Sequence, residues 1–441
     1  MKKKHFFLMS LLAMAMSFTC VSCGDDDDNN SNGNSGGSGE QIDKPTNDNP
    51  ALSTNDQKKL LESTAQTLVS KVKAVDFQEI SDVFRSLDNN PIEDENGVLD
   101  QWLDDIEDAC KVSETDKATK FLWKASNFYG QFEASKGNWV KTGSAKGNVT
   151  FTFTDNYNAK CVAKITYSGS ETTIHHELLD TEDDWYEYDP AYGGYIWHDI
   201  TRINRAAIPQ QVTLTLTRSG KELVKVTLNT KVNVSSSDGE VDLTKDKLDV
   251  TLTTTVQNYK VVVEKLQYNM EGGNDNTASA LAKVYINNEL LITVAADAKG
   301  TVYNSEKDPI GKQANVAADV LGKVQLRGTI NNINQFCDYN DEIDDNCYDE
   351  QKVRRLVDLQ NGLFEMGLYF NGSSNKSCEV KLMAVQSDYY YYDQYWKSEA
   401  YIKFTDGSAY QTFEEYFDEY TYDNVISQVE DLIDDFVEMF E

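Results

Sequence analysis

Apolar residues near the start of the folded chain recur at three- and four-residue spacing, at Leu60, Leu61, Ala65, Leu68, Val69, Val72 and Val75. That is the period of a helix with one buried face, and Ser53-Thr54-Asn55-Asp56 ahead of it has the polar pattern of a capping box. Weaker helical periodicity through Phe77 to Leu87, Val98 to Cys110 and Ala118 to Phe132 predicts three further helices, with Asn90-Pro91 and Asn96-Gly97 punctuating one connection. Near Gly137-Asn138 the period shortens to two. Val149, Phe151 and Phe153 alternate with threonines, and Cys161, Ala163, Ile165 and Tyr167 repeat the pattern after Asp155-Asn156-Tyr157-Asn158, which predicts a hairpin. The alternation runs on through Val212/Leu214/Leu216, Val224/Val226/Leu228, Val232/Val234, Leu248/Val250/Leu252 and Val261/Val263, interrupted at Ser219-Gly220 and Asp238-Gly239. One side of these runs is apolar and the other is Thr, Lys and Asn, the pattern of an antiparallel sheet with one solvated face. At the end of the chain Val425, Ile426, Val429, Leu432, Ile433, Phe436, Val437 and Phe440 return to helical spacing, with Glu430, Asp431, Asp434, Asp435 and Glu438 between them.

These periods predict an α+β fold with N-terminal helices over 51–136, a large antiparallel β-sheet over 137–405, and a C-terminal amphipathic helix within 406–441. Leu223-Val224-Lys225-Val226-Thr227-Leu228-Asn229 is echoed by Leu281-Ala282-Lys283-Val284-Tyr285-Ile286-Asn287. A duplicated sheet unit and the ordinary likeness of Lys/Val strands both account for the echo.

Ahead of the helices, Gly24 to Pro50 is Asp, Asn, Ser and Gly with Ile42 as its one large apolar residue, so residues 23–50 read as a tether with a reach of about 30 Å. Residues 1–22 read as a signal peptide: Lys2, Lys3 and Lys4 precede an apolar stretch, His5 to Phe18, too short to cross a bilayer. Val21-Ser22-Cys23 resembles the lipobox of bacterial lipoproteins, with Cys20 where that family usually has leucine. The acidic run Asp25 to Asp28 is similar to the export signal of Bacteroidetes surface lipoproteins. The resemblance implies cleavage before Cys23, a diacylglycerol on its thiol, and a protein anchored in the outer membrane through those acyl chains, facing the cell exterior. It spans the first 28 or so residues and carries no information about the domain behind them.

Charge narrows the partners. The formal net charge is −32, and the signal carries three lysines and no acid, so the mature chain is more negative still. Nucleic acid needs a basic footprint and is excluded as a partner. An apolar content of 40% supplies a core without metal or disulfide staples. Beyond Cys20 and Cys23, the cysteines Cys110, Cys161 and Cys378 are scattered, whereas Cys337 and Cys347 bracket a short acidic segment and are expected to close a disulfide in an oxidising compartment.

Candidate chemistry is sparse. His176-Glu177-Leu178-Leu179-Asp180 is one substitution away from the zincin signature, but Asp180 stands where the second histidine belongs. In Asp338-Tyr339-Asn340-Asp341-Glu342-Ile343-Asp344 the oxygens of Asp338, Asn340, Glu342 and Asp344 fall at alternate positions, as in a calcium loop, with Ile343 where such a loop turns on glycine. The competing reading is a solvated acidic loop, and no other cofactor is indicated. Tyr389 to Trp396 is the densest aromatic run, and Tyr391, Tyr395 and Trp396 are its candidate binding patch; core packing is the alternative, and the one expected for Trp396. Trp185, Tyr186, Tyr188, Tyr192, Tyr195 and Trp197 form a second aromatic stretch, to which Asp189-Pro190 and Gly193-Gly194 give loop character. No Gly-x-Ser-x-Gly elbow or phosphate-cradling glycine motif occurs. The expectation is a lipid-anchored surface protein that binds a glycan or protein ligand without catalysis. Two others stand beside it: a lipid or lipoprotein carrier with an apolar sheet face, and a polymer hydrolase using carboxylates.

Overall fold

The computed structural model describes residues 42–440, apart from 90–96, 116–117, 176–180, 192, 238, 242–244, 270–276, 302–309 and 390–391. The chain divides into two compact units, one made of Val75–Val262 with Glu438–Glu441, the other of Met1–Ala74 with Val263–Val437. Helix α1 (Thr54–Lys71) starts where the pattern predicts: Ser53 is its N-cap and accepts a hydrogen bond from the Asp56 N–H.

In the unit Val75–Val262, α2 (Gln78–Asn89) and α3 (Val98–Cys110) occupy their expected spans. The helix expected over 118–132 does not form; after β1 (Lys111–Thr115), β2 (Ala118–Lys124), a short 3-10 turn and the start of β3 (Gly130–Ser135) take up this stretch. Then come β4 (Asn138–Gly143), β5 (Asn148–Thr154), β6 (Lys160–His175), β7 (Thr181–Asp189), β8 (Gly194–Arg218), β9 (Lys221–Asn233) and β10 (Lys247–Val256), and the unit ends within β11 (Tyr259–Asn269). Tertiary pairing overrides the weak helical period: β2 runs parallel to β8 from Ala118 opposite Thr201 to Lys124 opposite Ala207, and Phe121 stacks on Trp123 two positions away. A second parallel ladder joins β3 to β5, so the pairing is mixed where a wholly antiparallel sheet was expected. The predicted hairpin is β5–β6, with Phe153 opposite Cys161 and Val149 opposite Ile165.

One side of this sheet is covered at one end, where Ile80 and Val83 from α2 pack on Phe153, Cys161, Leu216 and Leu223. Further along the same alternating positions, Ile165, Val212, Val226, Leu228 and Leu252 stay partly exposed, and Leu214 is exposed. Asp155 fastens the covered end. Its carboxylate accepts the N–H groups of Tyr157 (2.9 Å) and Ala159 (2.7 Å) and the Nε–H of Arg218 (2.7 Å), and Arg218 also reaches Asp82 on α2 at 3.3 Å.

In the other unit β12 (Thr277–Ile286), β13 (Glu289–Thr301), β14 (Ile310–Val320) and β15 (Val324–Asn331) form an antiparallel meander. Two helices interrupt the span expected to be sheet alone, α4 (Ile333–Asp345) and α5 (Glu350–Leu363), before the meander resumes with β16 (Phe364–Phe370), β17 (Cys378–Tyr389), β18 (Tyr392–Phe404) and β19 (Gln411–Thr412). Helices α6 (Phe413–Tyr416) and α7 (Glu419–Phe440) close the chain. Register places Val316, Leu326, Leu368, Val380 and Ile402 on one face, where Leu60 and Leu61 of α1 and Phe413 and Phe417 pack. Helices α4 and α5 cover the same face further along through Ile343, Val353, Leu356 and Val357. On α7 the expected stripe is only partly inward: Val425 is buried, whereas Ile433 and Val437 are exposed.

The opposite face carries a correction to the tether. Ile42 is 8% exposed and packs on Ala295 and Ala317. Arg327 and Gln325 donate to the carbonyls of Ile42 and Asp43, Asn47 forms a parallel bridge with Ser373, and Asn375 donates to the Asn49 carbonyl. Residues Ile42 to Pro50 are thus a strap on the sheet, because polar composition alone does not forbid order when one apolar anchor and several backbone hydrogen bonds find partners. Removing residues up to 41 is expected to leave the melting temperature unchanged. Extending the deletion through Pro50 is expected to lower it clearly, since burying one isoleucine is worth about 1.5–3 kcal/mol; calorimetry of the two truncations checks this.

The internal echo does not fall on equivalent places. Leu223–Asn229 lies inside β9, whereas Leu281–Ile286 ends β12 just before a turn in which Asn287 and Asn288 both adopt positive φ.

Candidate functional site

The second aromatic stretch forms a hairpin, not a loop. Aromatic residues favour the pleated ribbon; Asp189 pairs with Gly194, and Gly193 adopts φ +69°. Strands β7 and β8 pair with Trp185 opposite His198, Tyr186 opposite Trp197, Tyr188 opposite Tyr195 and Asp189 opposite Gly194. Strand β2 joins β8 only from Thr201 and β6 only from Arg205, so among the described residues 183–189 and 194–200 form a two-stranded ribbon. Near its tip Tyr188 and Tyr195 are 54% and 72% exposed, and their rings meet edge to face with centroids 5.4 Å apart. Large exposed rings on a narrow ribbon give flat apolar contact area at low entropy cost, which is what binding surfaces use.

The first aromatic run is divided. Tyr391 lies outside the described residues. Tyr395 and Trp396 are adjacent on β18 and so belong to opposite faces. Trp396 packs with Leu382 and Ala384 against Ile343, Val353, Leu356 and Val357, and the Arg354 guanidinium lies 4.8 Å from the centre of its ring. Trp396 is therefore engaged beneath α4 and α5.

Asp338, Asn340, Glu342 and Asp344 sit on α4, so the calcium-loop expectation is corrected: residues two apart on a helix point in nearly opposite directions, and their oxygens do not converge. Ile343, where a calcium loop would need glycine, is the helix's buried anchor at 1% exposure. Among the described residues no three His, Cys, Asp or Glu side chains gather as a metal site. His176 to Asp180 lie outside the described residues, as does Cys23. No disulfide joins Cys337 to Cys347. Cys337 lies on α4 and Cys347 just past its end, and both thiols are free. Burial pushes the Cys378 thiol up to about 12 and raises Cys161 as well, which favours the neutral thiol at both.

Carboxylates gather on the open face of β16 to β18. The Lys376 amine donates to both Glu365 (3.0 Å) and Glu379 (3.1 Å), and Lys403 approaches Glu379 at 3.5 Å. Gly367 permits this, because the Lys376 stem crosses where a Cβ would stand. Burial works against charge on Glu379, but its lysines overcome that and hold the carboxyl below its usual range. Asp155, Asp406 and Asp418 shift the same way. A general acid for glycoside cleavage must be held up, and none of these four is. Over the helix-covered face a cavity lined by Leu326, Leu368, Cys378, Val380, Ile402 and Phe417 measures about 10 Å³, the room of one water and not of an acyl chain.

The paired tyrosines at the ribbon tip lie on the second aromatic stretch, which the sequence weighs evenly with the Tyr389–Trp396 run. The alternation of Tyr186 and Tyr188 with Trp185, Glu187 and Asp189 was the available signal. Comparison with family models, with curated proteins and with solved structures gives no match.

Proposed function

We propose that the chain is a lipid-anchored protein of the cell surface, held in the outer membrane through Cys23, that binds an extracellular ligand and performs no catalysis. The observation that carries this reading is the β7–β8 ribbon with its exposed Tyr188–Tyr195 pair. Two large rings set side by side offer flat contact area at low entropy cost, and a ribbon of two strands contributes little to a core. The lipobox resemblance and the acidic run after Cys23 support the location.

The test is a pair of variants. Cys23→Ser is expected to leave a folded protein in the soluble fraction. Tyr188→Ala combined with Tyr195→Ala is expected to keep the melting temperature while losing the ligands that the native protein binds on arrays of glycans and extracellular polypeptides. Array binding that survives the double substitution would remove the ribbon from the reading, and a native protein that binds nothing would remove the function.

A further inference from the structure

Away from the ribbon, the polar face of the sheet in the unit Val75–Val262 carries a second chemistry. Alternation sends the apolar side chains of β6, β8, β9 and β10 to one face and the polar ones to the other, and register sets the polar ones in rows across the strands. Lys164, Thr215 and Lys225 lie side by side in one row, and the next is threonine on all four strands. In the third row the side chains are already linked. The Ser168 hydroxyl donates to Gln211 Oε1 (3.1 Å), Gln211 Nε2–H to Asn229 Oδ1 (2.8 Å), and Asn229 Nδ2–H to Thr251 Oγ1 (3.0 Å). Beyond it Lys231 stands opposite Asp249, and Asn233 opposite Lys247. At about 6.8 Å per row and about 4.8 Å per strand, the patch measures about 27 by 14 Å. Strands β6, β8 and β9 are paired on both sides, so a ligand here meets side chains and not a backbone edge.

The charge of this patch opposes that of the chain. Its five rows hold four lysines and one carboxylate, Asp249, in a protein with 73 acidic residues and a formal net charge of −32. Lys225 is tied to Glu222 at 4.0 Å, whereas Lys164, Lys231 and Lys247 have no ion-pair partner among the described residues. Three unpaired lysines in so acidic a chain mark a face from which carboxylates are withheld. At physiological salt a charge is felt over about 8 Å, less than the length of the patch, so an approaching anion meets these lysines and not the acids elsewhere. The linked amides add hydroxyl recognition. In Gln211 and Asn229 the row uses one N–H and one carbonyl lone pair each, which leaves another of each, and the row already holds both side chains in place.

We infer that this face binds a uronate-bearing polysaccharide, with carboxylates on Lys164, Lys231 and Lys247 and sugar hydroxyls on Gln211, Asn229 and the threonines between them. A neutral glycan leaves the lysines unanswered, and a DNA strand brings anions but no hydroxyls for the amide row. The patch goes beyond the tyrosine pair and does not rest on it: uronates engage this face, and neutral glycans and polypeptides engage the ribbon.

The experiment titrates the full mature chain, in a non-ionic detergent and calcium-free buffer at physiological salt, with polygalacturonate, dextran and oligothymidylate. Polygalacturonate is expected to bind and dextran not, with an affinity that falls as salt rises. Lys164→Gln combined with Lys231→Gln and Lys247→Gln is expected to weaken polygalacturonate about tenfold, as the loss of three exposed ion pairs does. Lys59→Gln combined with Lys136→Gln and Lys312→Gln changes the net charge equally at exposed lysines elsewhere, and is expected to leave the affinity unaltered. Gln211→Ala with Asn229→Ala is expected to weaken binding severalfold without changing its salt dependence. Equal losses in the two lysine sets would reduce the effect to net charge and overturn the assignment to this face. Oligothymidylate binding as tightly as polygalacturonate would overturn the glycan, and failure of polygalacturonate to bind would overturn the inference as a whole. Polygalacturonate lost in Tyr188→Ala with Tyr195→Ala but kept in the lysine and amide variants would end this inference and leave the ribbon as the binding surface.

Discussion

Asp155→Ala is expected to destabilise the unit Val75–Val262 by about 3 kcal/mol, the low end of the range for breaking a buried ion pair from one side. The carboxylate is fully buried and holds three donors: the N–H groups of Tyr157 and Ala159 and the Arg218 guanidinium. Arg218 keeps Asp82 after the substitution, which is why the cost stays at the low end. The loss should show as a lower urea midpoint followed by the fluorescence of Trp102, Trp123 and Trp139. It should also depend on pH. Burial opposes the charge on Asp155, but the backbone N–H of Ala159, Arg218 and the N–H of Tyr157 together hold its carboxyl below the usual range. A carboxyl depressed in the fold contributes stability that is present above its unfolded pKa of about 3.9 and disappears as pH falls through the folded value. The gap between native protein and Asp155→Asn is therefore expected to be widest at neutral pH and to close in acid. A gap that widens on acidification would show the group to be uncharged in the fold.

Trp396→Ala is expected to cost about 3 kcal/mol in the unit containing β12 to β19, without affecting ligand binding at the ribbon. The ring fills the space between β18 and the α4–α5 pair and carries Arg354 against it, the latter worth about 0.5–1 kcal/mol at a partly exposed site. It is also the one tryptophan in the sequence of that unit, so unfolding should be followed by circular dichroism, not by fluorescence. A variant that melts normally yet has lost a ligand would move the binding surface to Tyr395 and Trp396.

Elements with strong local signals were legible in the sequence. The capped start of α1, the span of α3 and the register of β5 against β6 follow from period, cap and alternation alone. Where local signals were weak, distant partners decided. Residues 118–124 became a strand because β8 offered β2 a parallel neighbour. Helices α4 and α5 hid in a stretch read as sheet, although Val353, Leu356, Val357 and Gln360 carry a helical period. The acidic residues of α4 drew attention to metal chemistry, while Ile343 among them was announcing a buried helix face. The candidate site was half legible: its aromatic content could be read, but not that Tyr188 would stand opposite Tyr195, since register is a property of the pair and not of either strand.

The strap also sets how the protein bears load. If acyl chains on Cys23 hold the membrane while a ligand is pulled, tension enters the fold at Ile42 and is met by the Arg327 and Gln325 contacts and then by the Asn47–Ser373 bridge, ahead of α1. These contacts act as a mechanical fuse. A tug strong enough to strip them lengthens the leash by the nine residues from Ile42 to Pro50, about 30 Å when drawn straight, while Leu60 and Leu61 stay seated on the sheet.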